Sequence, residues 1–340
     1  MSYLRIAAEE AFAPPELLQH YRDLLRGGGD VDPGFESLWG HYLGKSGQAT
    51  ALVSRIQDLG EGRIRDMDES GIAKQILSLT APGVQIFERD RATHLARSMN
   101  DQLAEAVRRH PGRFAGLAAI APQDPAAAAQ ELERGVGTLG LKGAIINSHT
   151  HGEYLDDAKF WPIFEAAAAL GVPVYIHPTT PPHAMIRPFA ERGLAGAIFG
   201  FGVETGLHML RLITSGVFDR FPNLQIVVGH LGEALPFWMF RVDFMHRAMV
   251  TAGRHPTVRK LQRKPSDYLR ENFYFTTSGM AWEPVILFTL SVFGADRVLY
   301  AMDYPYQYVP EEVTVTDQLP ISDDDKLKLY QSNAEKVFCL

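Results

Sequence analysis

Short apolar runs of strand length recur along the chain, each closed by polar or turn residues and followed by a stretch with helical spacing of its apolar positions. Eight of these runs predict strands, at 4–8, 75–79, 114–120, 143–146, 172–176, 224–228, 273–277 and 298–302. Nearly every position within them is apolar, which is what strands need when both faces of a parallel sheet are covered. The intervening segments PPELLQHYRDLLR, RATHLARSMNDQLAEAVRRH, DPAAAAQELERGVGTLG, DDAKFWPIFEAAAALG and GVETGLHMLRLITSGVF predict helices. Several begin at Pro or Asp and stop at Gly, the asymmetry of helix ends. Eight strands alternating with helices predict an α/β chain folded as a (β/α)8 TIM-like barrel. An open doubly wound sheet is the lesser alternative, because no G-x-G-x-x-G follows the first run. The segment 27–60, with GGGDVDPGFESLWGHY, reads as a long loop-like insertion after the first strand, placed over the C-terminal mouth. No repeat, low-complexity tract or linker interrupts 1–340, so a single domain is expected.

On such a barrel the reactive side chains project from the C-terminal ends of strands. Four of the predicted ends carry metal-binding or acid–base groups: Glu9 and Glu10, His177 in YIHP, His230 in GHLGE, and Asp303 in AMDYPY. A lone strand-end histidine is more often a hydrogen-bonded structural residue than a ligand. Their joint placement on one rim is what favours a site. Glu, His and Asp completed by water make an oxygen-rich centre for one divalent ion, Mn2+ or Mg2+ before thiolate-loving metals, with Zn2+ compatible. Glu9, His177 and Asp303 are the expected metal ligands. Alternation sends Glu9 and Glu10 to opposite faces without saying which face is inside.

Composition narrows the field without selecting a function. The 340 residues are 46% hydrophobic and 21% charged, ordinary for a folded chain with a sizeable core. A net charge of −7 with dispersed Lys and Arg argues against nucleic-acid partners. The single cysteine, Cys339, excludes an intrachain disulfide framework and fits a reducing compartment. MSYLRIAAEEAF lacks the basic and long apolar regions of a signal peptide, and no apolar run reaches about 18 residues. A cytoplasmic protein without a membrane partner is expected.

The motifs EEAFA, YIHP, GHLGE and MDYPY, with TAPGVQ, APQDP and NAEKVF elsewhere, resemble those of the metal-dependent amidohydrolase-superfamily decarboxylases that act on hydroxylated benzoates. Within that group SLWG, LKGAIINSHT, IFGFGVETG and AMDYPYQY are most similar to the branch acting on 5-carboxyvanillate. The resemblance spans nearly the whole chain. It implies a distorted (β/α)8 barrel, a small aromatic carboxylate as substrate, no organic cofactor, a homodimer or larger homo-oligomer, and a setting in the breakdown of lignin-derived aromatics.

The resemblance also implies roles. Glu9, His177 and Asp303 match metal ligands, and His230 matches an active-site histidine with Glu233 as its partner. Asp303 matches the proton donor, and Arg241 the arginine that receives a carboxylate. Many superfamily members carry H-x-H or E-x-H after the first strand. Ala11 takes that last place here, which counts against a two-metal hydrolase site. Tyr306 and Tyr304 are candidates to contact the ring, and Arg241 has the alternative of a salt bridge to Asp243. Gln48 stands where a relative is expected to offer an arginine. His208 and Glu204 share a helix face at i, i+4 and read as supporting residues. His149 and His151 read as loop or pocket residues, and Trp39 in SLWGHY as part of a lid. His20, His94, His110, His183, His246 and His255 read as solvated. The rival readings are a mononuclear metal-dependent hydrolase or hydratase on the same barrel, and a non-catalytic barrel.

Overall fold

The computed structural model describes residues 3–27, 31–44 and 46–340; Gly28, Gly29, Asp30 and Lys45 of the segment 27–60 lie outside the described residues. Among the described residues nine short strands follow in chain order: β1 (Ile6–Phe12), β2 (Lys74–Leu79), β3 (Phe114–Gly116), β4 (Ala118–Ala119), β5 (Ala144–Asn147), β6 (Val174–His177), β7 (Ile226–Val228), β8 (Phe273–Thr276) and β9 (Val298–Leu299). All paired neighbours are parallel. β3 and β4 are the single predicted run 114–120, interrupted at Leu117, whose N–H still donates to Leu77 O at 2.9 Å. Lys142 N to Gly116 O at 2.8 Å and Ala118 N to Gly143 O at 2.8 Å carry the ladder across that break. Ala8 N to Tyr300 O at 2.9 Å and Ala11 N to Tyr304 O at 2.7 Å bring the last strand back to the first. The result is an eight-position parallel barrel with local irregularities.

Period-two alternation explains the unbroken apolar runs. Ile145, Tyr175, Val227 and Tyr274 pack into one buried cluster, while Ala144, Ile146, Val174, Ile176, Ile226, Val228, Phe273 and Phe275 pack into another. One set faces the barrel interior and the other the surrounding helices, so neither face tolerates exposed polar groups. His177 and Thr276 continue the inward set, two residues beyond Tyr175 and Tyr274.

Helices Pro15–Arg26, Arg89–Arg109, Pro125–Gly137, Trp161–Leu170 and Gly200–Ser215 fall within or beside the predicted segments. Among the described residues no helix is long and apolar enough to cross a membrane. Three expectations need correction. The first strand extends to Phe12, so Glu9 and Glu10 lie within it; pairing of Glu10 with Leu77 and Phe12 with Leu79 continues past a register shift between Ala7 and Glu10. The carboxylates do not end the strand because both find partners inside the fold. The segment 27–60 is not loop-like throughout, since it contains helices Pro33–Tyr42 and Gly47–Gln57. Asp32 and Ser46 start them by accepting from Phe35 N at 2.9 Å and Ala49 N at 3.1 Å, and Pro33 occupies the first helical turn. Finally, Trp39 is a core residue and not a lid. It is 1% exposed, donates Nε1–H to Ala81 O at 3.0 Å, and packs on Tyr21 with ring centroids 4.8 Å apart.

Candidate active site

The middle of β1 delivers Glu9 into the barrel interior, where it is 3% exposed. Its Oε2 accepts hydrogen bonds from Tyr175 Oη and from Thr276 Oγ1, the latter at 2.6 Å. Those two donors stand on β6 and β8 and face inward by alternation. Among the described residues Glu9 Oε1 has no hydrogen-bond partner, although it is buried. A bare carboxylate oxygen costs free energy in such a place unless a ligand satisfies it. His177 Nε2 lies 3.5 Å from that oxygen and His230 Nε2 3.8 Å. His177 Nδ1 is 2.7 Å from Pro178 O, a contact that requires Nδ1 to carry a proton and leaves Nε2 with a lone pair in the neutral ring. Burial lowers the His177 pKa, with Glu9 opposing, so the neutral form is favoured.

A left-handed turn carries His230 and Glu233. φ is positive at five consecutive positions, 52° at His230, 55° at Leu231, 84° at Gly232, 52° at Glu233 and 61° at Ala234. Four of the five are not glycine, a cost of about 1–2 kcal/mol each, of the kind concentrated at functional sites. The turn brings His230 Nδ1 within 2.7 Å of Glu233 Oε1. Burial alone would lower the His230 pKa, but the Glu233 and Glu9 carboxylates outweigh it and raise it to about 10. Gly229, just before the turn, packs so closely on Glu9 that a Cβ there would stand 2.8 Å from Glu9 Oε2, already pinned by two donors.

Asp303 follows β9 and borders the same space: a Cβ on Gly279 would lie 3.4 Å from His230 Cδ2 and 3.5 Å from Asp303 Oδ2. Burial first and the Glu9 charge second push the Asp303 carboxyl up to about 8, with His230 opposing. A divalent cation would reverse that direction by supplying opposite charge. Among the described residues no three His, Cys, Asp or Glu side chains are already closed around a cation. The donor set nevertheless fits one. A buried carboxylate oxygen without a partner faces a neutral imidazole nitrogen across 3.5 Å, an arrangement that an ion between them would relieve.

A cavity of about 840 Å3 reaches this rim between helices Gly200–Ser215 and Leu235–Ala252, lined by His230, Glu233, Asp303, Arg241, Gln307, Trp238 and other apolar side chains. Arg241 is exposed on its wall. The alternative partner Asp243 instead accepts from Ser266 N at 2.9 Å and Ser266 Oγ at 2.6 Å. Tyr306 pairs its hydroxyl with Thr80 Oγ1 at 2.5 Å and packs against Tyr42. Tyr304 is buried and donates to Asp66 Oδ2 at 2.8 Å, which places its hydroxyl in the framework.

Gln48 is exposed on its helix. His149 Nδ1 accepts from Gly152 N at 3.1 Å and its Nε2 meets Thr180 O at 2.9 Å. With His151 it lines a separate pocket of about 50 Å3. Glu204 and His208 are buried and meet at Ser148 Oγ, each 2.9 Å away. His208 Nε2 accepts from Leu155 N at 3.1 Å, so its Nδ1–H donates to Ser148 and the serine hydroxyl donates to Glu204. That direction ties the loop around Ser148 to the helix bearing Glu204 and His208, and it excludes His208 as a base for the serine. Sequence reading missed Tyr175 and Thr276, although their signal was present. Tyr175 precedes His177 by two residues and so shares its inward face.

Residues 51–340 match the amidohydrolase family. A crystal structure of 5-carboxyvanillate decarboxylase from Novosphingobium aromaticivorans, complexed with manganese and 4-hydroxy-3-methoxy-5-nitrobenzoic acid, is 52% identical. It superposes with a TM-score of 0.98 over 100% of this chain and 97% of that one. A 5-carboxyvanillate decarboxylase structure from Sphingomonas paucimobilis is 41% identical, with a TM-score of 0.94 over 100% of both chains. The gamma-resorcylate decarboxylase of a Polaromonas species is 41% identical over 85% of this chain and 90% of its own length.

Proposed function

The chain belongs to the amidohydrolase family, and from that premise we propose that it is a divalent-metal-dependent, non-oxidative decarboxylase that converts 5-carboxyvanillate to vanillate. The observation that carries this choice is the full-length similarity to the Novosphingobium enzyme, whose structure holds manganese and a nitro analogue of that substrate. A second reading, removal of the carboxylate from gamma-resorcylate, is favoured by the Polaromonas relative. Both substrates place a phenol ortho to the departing carboxylate.

Glu9, His177 and Asp303 would hold the ion, with Mn2+ the first choice. When bound, it supplies a positive centre that orients the phenol oxygen and the carboxylate and eases loss of the phenolic proton. The chain's own residues then manage charge and protons. Tyr175 and Thr276 fix Glu9 Oε2 and leave Oε1 facing the site. Arg241, on the cavity wall, receives a planar carboxylate through paired N–H groups. An Asp303 carboxylate oxygen takes the phenolic proton and returns it to the ring carbon bearing the carboxylate. The C–C bond then breaks, its electron pair restores aromaticity, and CO2 leaves. Solvent reprotonates the phenolate. His230, oriented by Glu233 through the 2.7 Å contact between Nδ1 and Oε1, stands beside Asp303 as a polar neighbour of the transferred proton.

The homo-oligomer implied by the resemblance is supported by Phe237, Phe240, Phe244 and Trp282, which are 74%, 85%, 51% and 63% exposed. Light scattering in solution tests it, and a monomer at micromolar concentration refutes it. For the activity, metal-replete and chelated protein are incubated with 5-carboxyvanillate, gamma-resorcylate and other ortho-hydroxybenzoates while CO2 and the ultraviolet spectrum are followed. The expected result is metal-dependent CO2 release, fastest from 5-carboxyvanillate; no release from any substrate overturns the reading. Asp303→Asn should abolish release. Turnover by that variant with metal bound refutes the proton-transfer role.

A further inference from the structure

Glu10 is fully buried beside the site, and its carboxylate points away from Glu9 toward the loop after β9. Its Oε1 accepts from Met302 N at 2.9 Å and its Oε2 from Tyr304 N at 3.0 Å. Those two N–H groups flank Asp303, which holds φ at 71°, a conformation that a non-glycine residue avoids unless its surroundings impose it. The Asp303 carbonyl is also tied, accepting from Gln307 N at 2.9 Å. Behind Glu10, the buried Arg63 guanidinium donates to Ala11 O at 2.7 Å and lies 4.6 Å from the Tyr304 ring centroid. It thus supplies positive charge on the side away from the site.

We propose that Glu10 is a positioning residue: its two carboxylate oxygens clamp the peptides on either side of Asp303 and so fix the direction in which the Asp303 carboxylate enters the metal site. The paired acids of the first strand then divide the work. Glu9 faces the ion, and Glu10 sets the ligand contributed from the opposite end of the chain, 292 residues away at Met302. A symmetric acceptor is required, because both groups it meets are donors. Glutamine keeps the shape but turns an N–H toward one of them. The inference rests on the assignment of Asp303 as a metal ligand made above.

The test is Glu10→Gln, with Mn2+ affinity measured by calorimetry on metal-free protein, and with kcat and KM measured separately. Expected are weakening of Mn2+ binding by about 10–100-fold, the range typical when a support behind a ligand is lost, and a fall in kcat at saturating Mn2+ with KM changed less than about threefold. Tyr304→Phe serves as comparison: it releases the same loop from Asp66 without touching the clamp, and should lower the melting temperature while leaving Mn2+ affinity near wild type. Wild-type affinity in Glu10→Gln, or an equal loss in Tyr304→Phe, overturns the proposal. If Glu10→Gln fails to fold, Glu10→Asp, which keeps the charge opposite Arg63 but falls short of both N–H groups, is judged by the same measurements. Because metal affinity needs no substrate, failure of the decarboxylase assignment leaves this test intact, and failure here leaves that assignment standing.

Discussion

Glu233→Gln isolates the electrostatics of the left-handed turn, because glutamine preserves an acceptor for His230 Nδ1 and removes only charge. The ion pair spans 2.7 Å and is mostly buried, with side chains 20% and 6% exposed. At an effective dielectric of about 20 a pair this close is worth about 6 kcal/mol, and the Glu9 contact at 3.8 Å about 4 kcal/mol. Both oppose the burial that would otherwise lower the histidine, leaving it at about 10. Removing Glu233's charge should therefore bring His230 down toward the ordinary value of about 6.5. The consequence for stability has a definite sign. A histidine raised in the fold stabilises fully below its unfolded value, so the contribution is complete below about pH 6.5, declines above it, and is gone beyond about pH 10. At its greatest it amounts to a few kcal/mol, with about 5 kcal/mol as the ceiling at 1.36 kcal/mol per pH unit. The assay is urea unfolding of chelator-treated wild type and variant from pH 6 to pH 10, with NMR titration of the labelled His230 ring. The stability advantage of the wild type should be largest at the acid end and shrink toward pH 10. A constant difference across the window, or unchanged His230 titration in the variant, refutes the reasoning.

Tyr175→Phe removes one of two donors to Glu9 Oε2 and should weaken Mn2+ binding by about tenfold or more by calorimetry, with little change in circular dichroism. Trp39→Ala tests the core role against the lid: a loss of about 3–5 kcal/mol is expected in chemical unfolding, and unchanged stability with slowed turnover would restore the lid. Arg241→Lys should raise KM for a benzoate carboxylate by about tenfold, the equivalent of about 1.4 kcal/mol from one lost charged hydrogen bond, with kcat within about threefold. Steady-state kinetics decide it, and an unchanged KM removes Arg241 from the substrate.

The sequence by itself determined the barrel. Strands in a parallel sheet must be apolar on both faces, and that requirement is written locally, so six of the eight predicted runs overlie observed strands closely. The last, 298–302, coincides with its strand only at 298–299, and the first overlaps only at 6–8 and misplaced its end. Periodicity is blind to a buried glutamate that finds a partner, and Glu9 and Glu10 both do. The groups on the rim were legible for the same reason, since a polar residue ending an apolar run stands out. What those groups do to one another was not. Whether Glu9 or Glu10 enters the barrel depends on where Tyr175 and Thr276 stand, more than 160 residues away. The five left-handed residues that join His230 to Glu233 carry no glycine signal except at Gly232, because packing, and not local propensity, holds the backbone there. Trp39 looked like a lid in an aromatic, loop-like stretch until helix caps and the Ala81 carbonyl took it into the core. Strand placement follows from the local cost of exposing apolar surface. The direction of a side chain follows from partners that only chain closure brings within reach, and for this protein that closure decides which of two adjacent acids faces the site and which braces it.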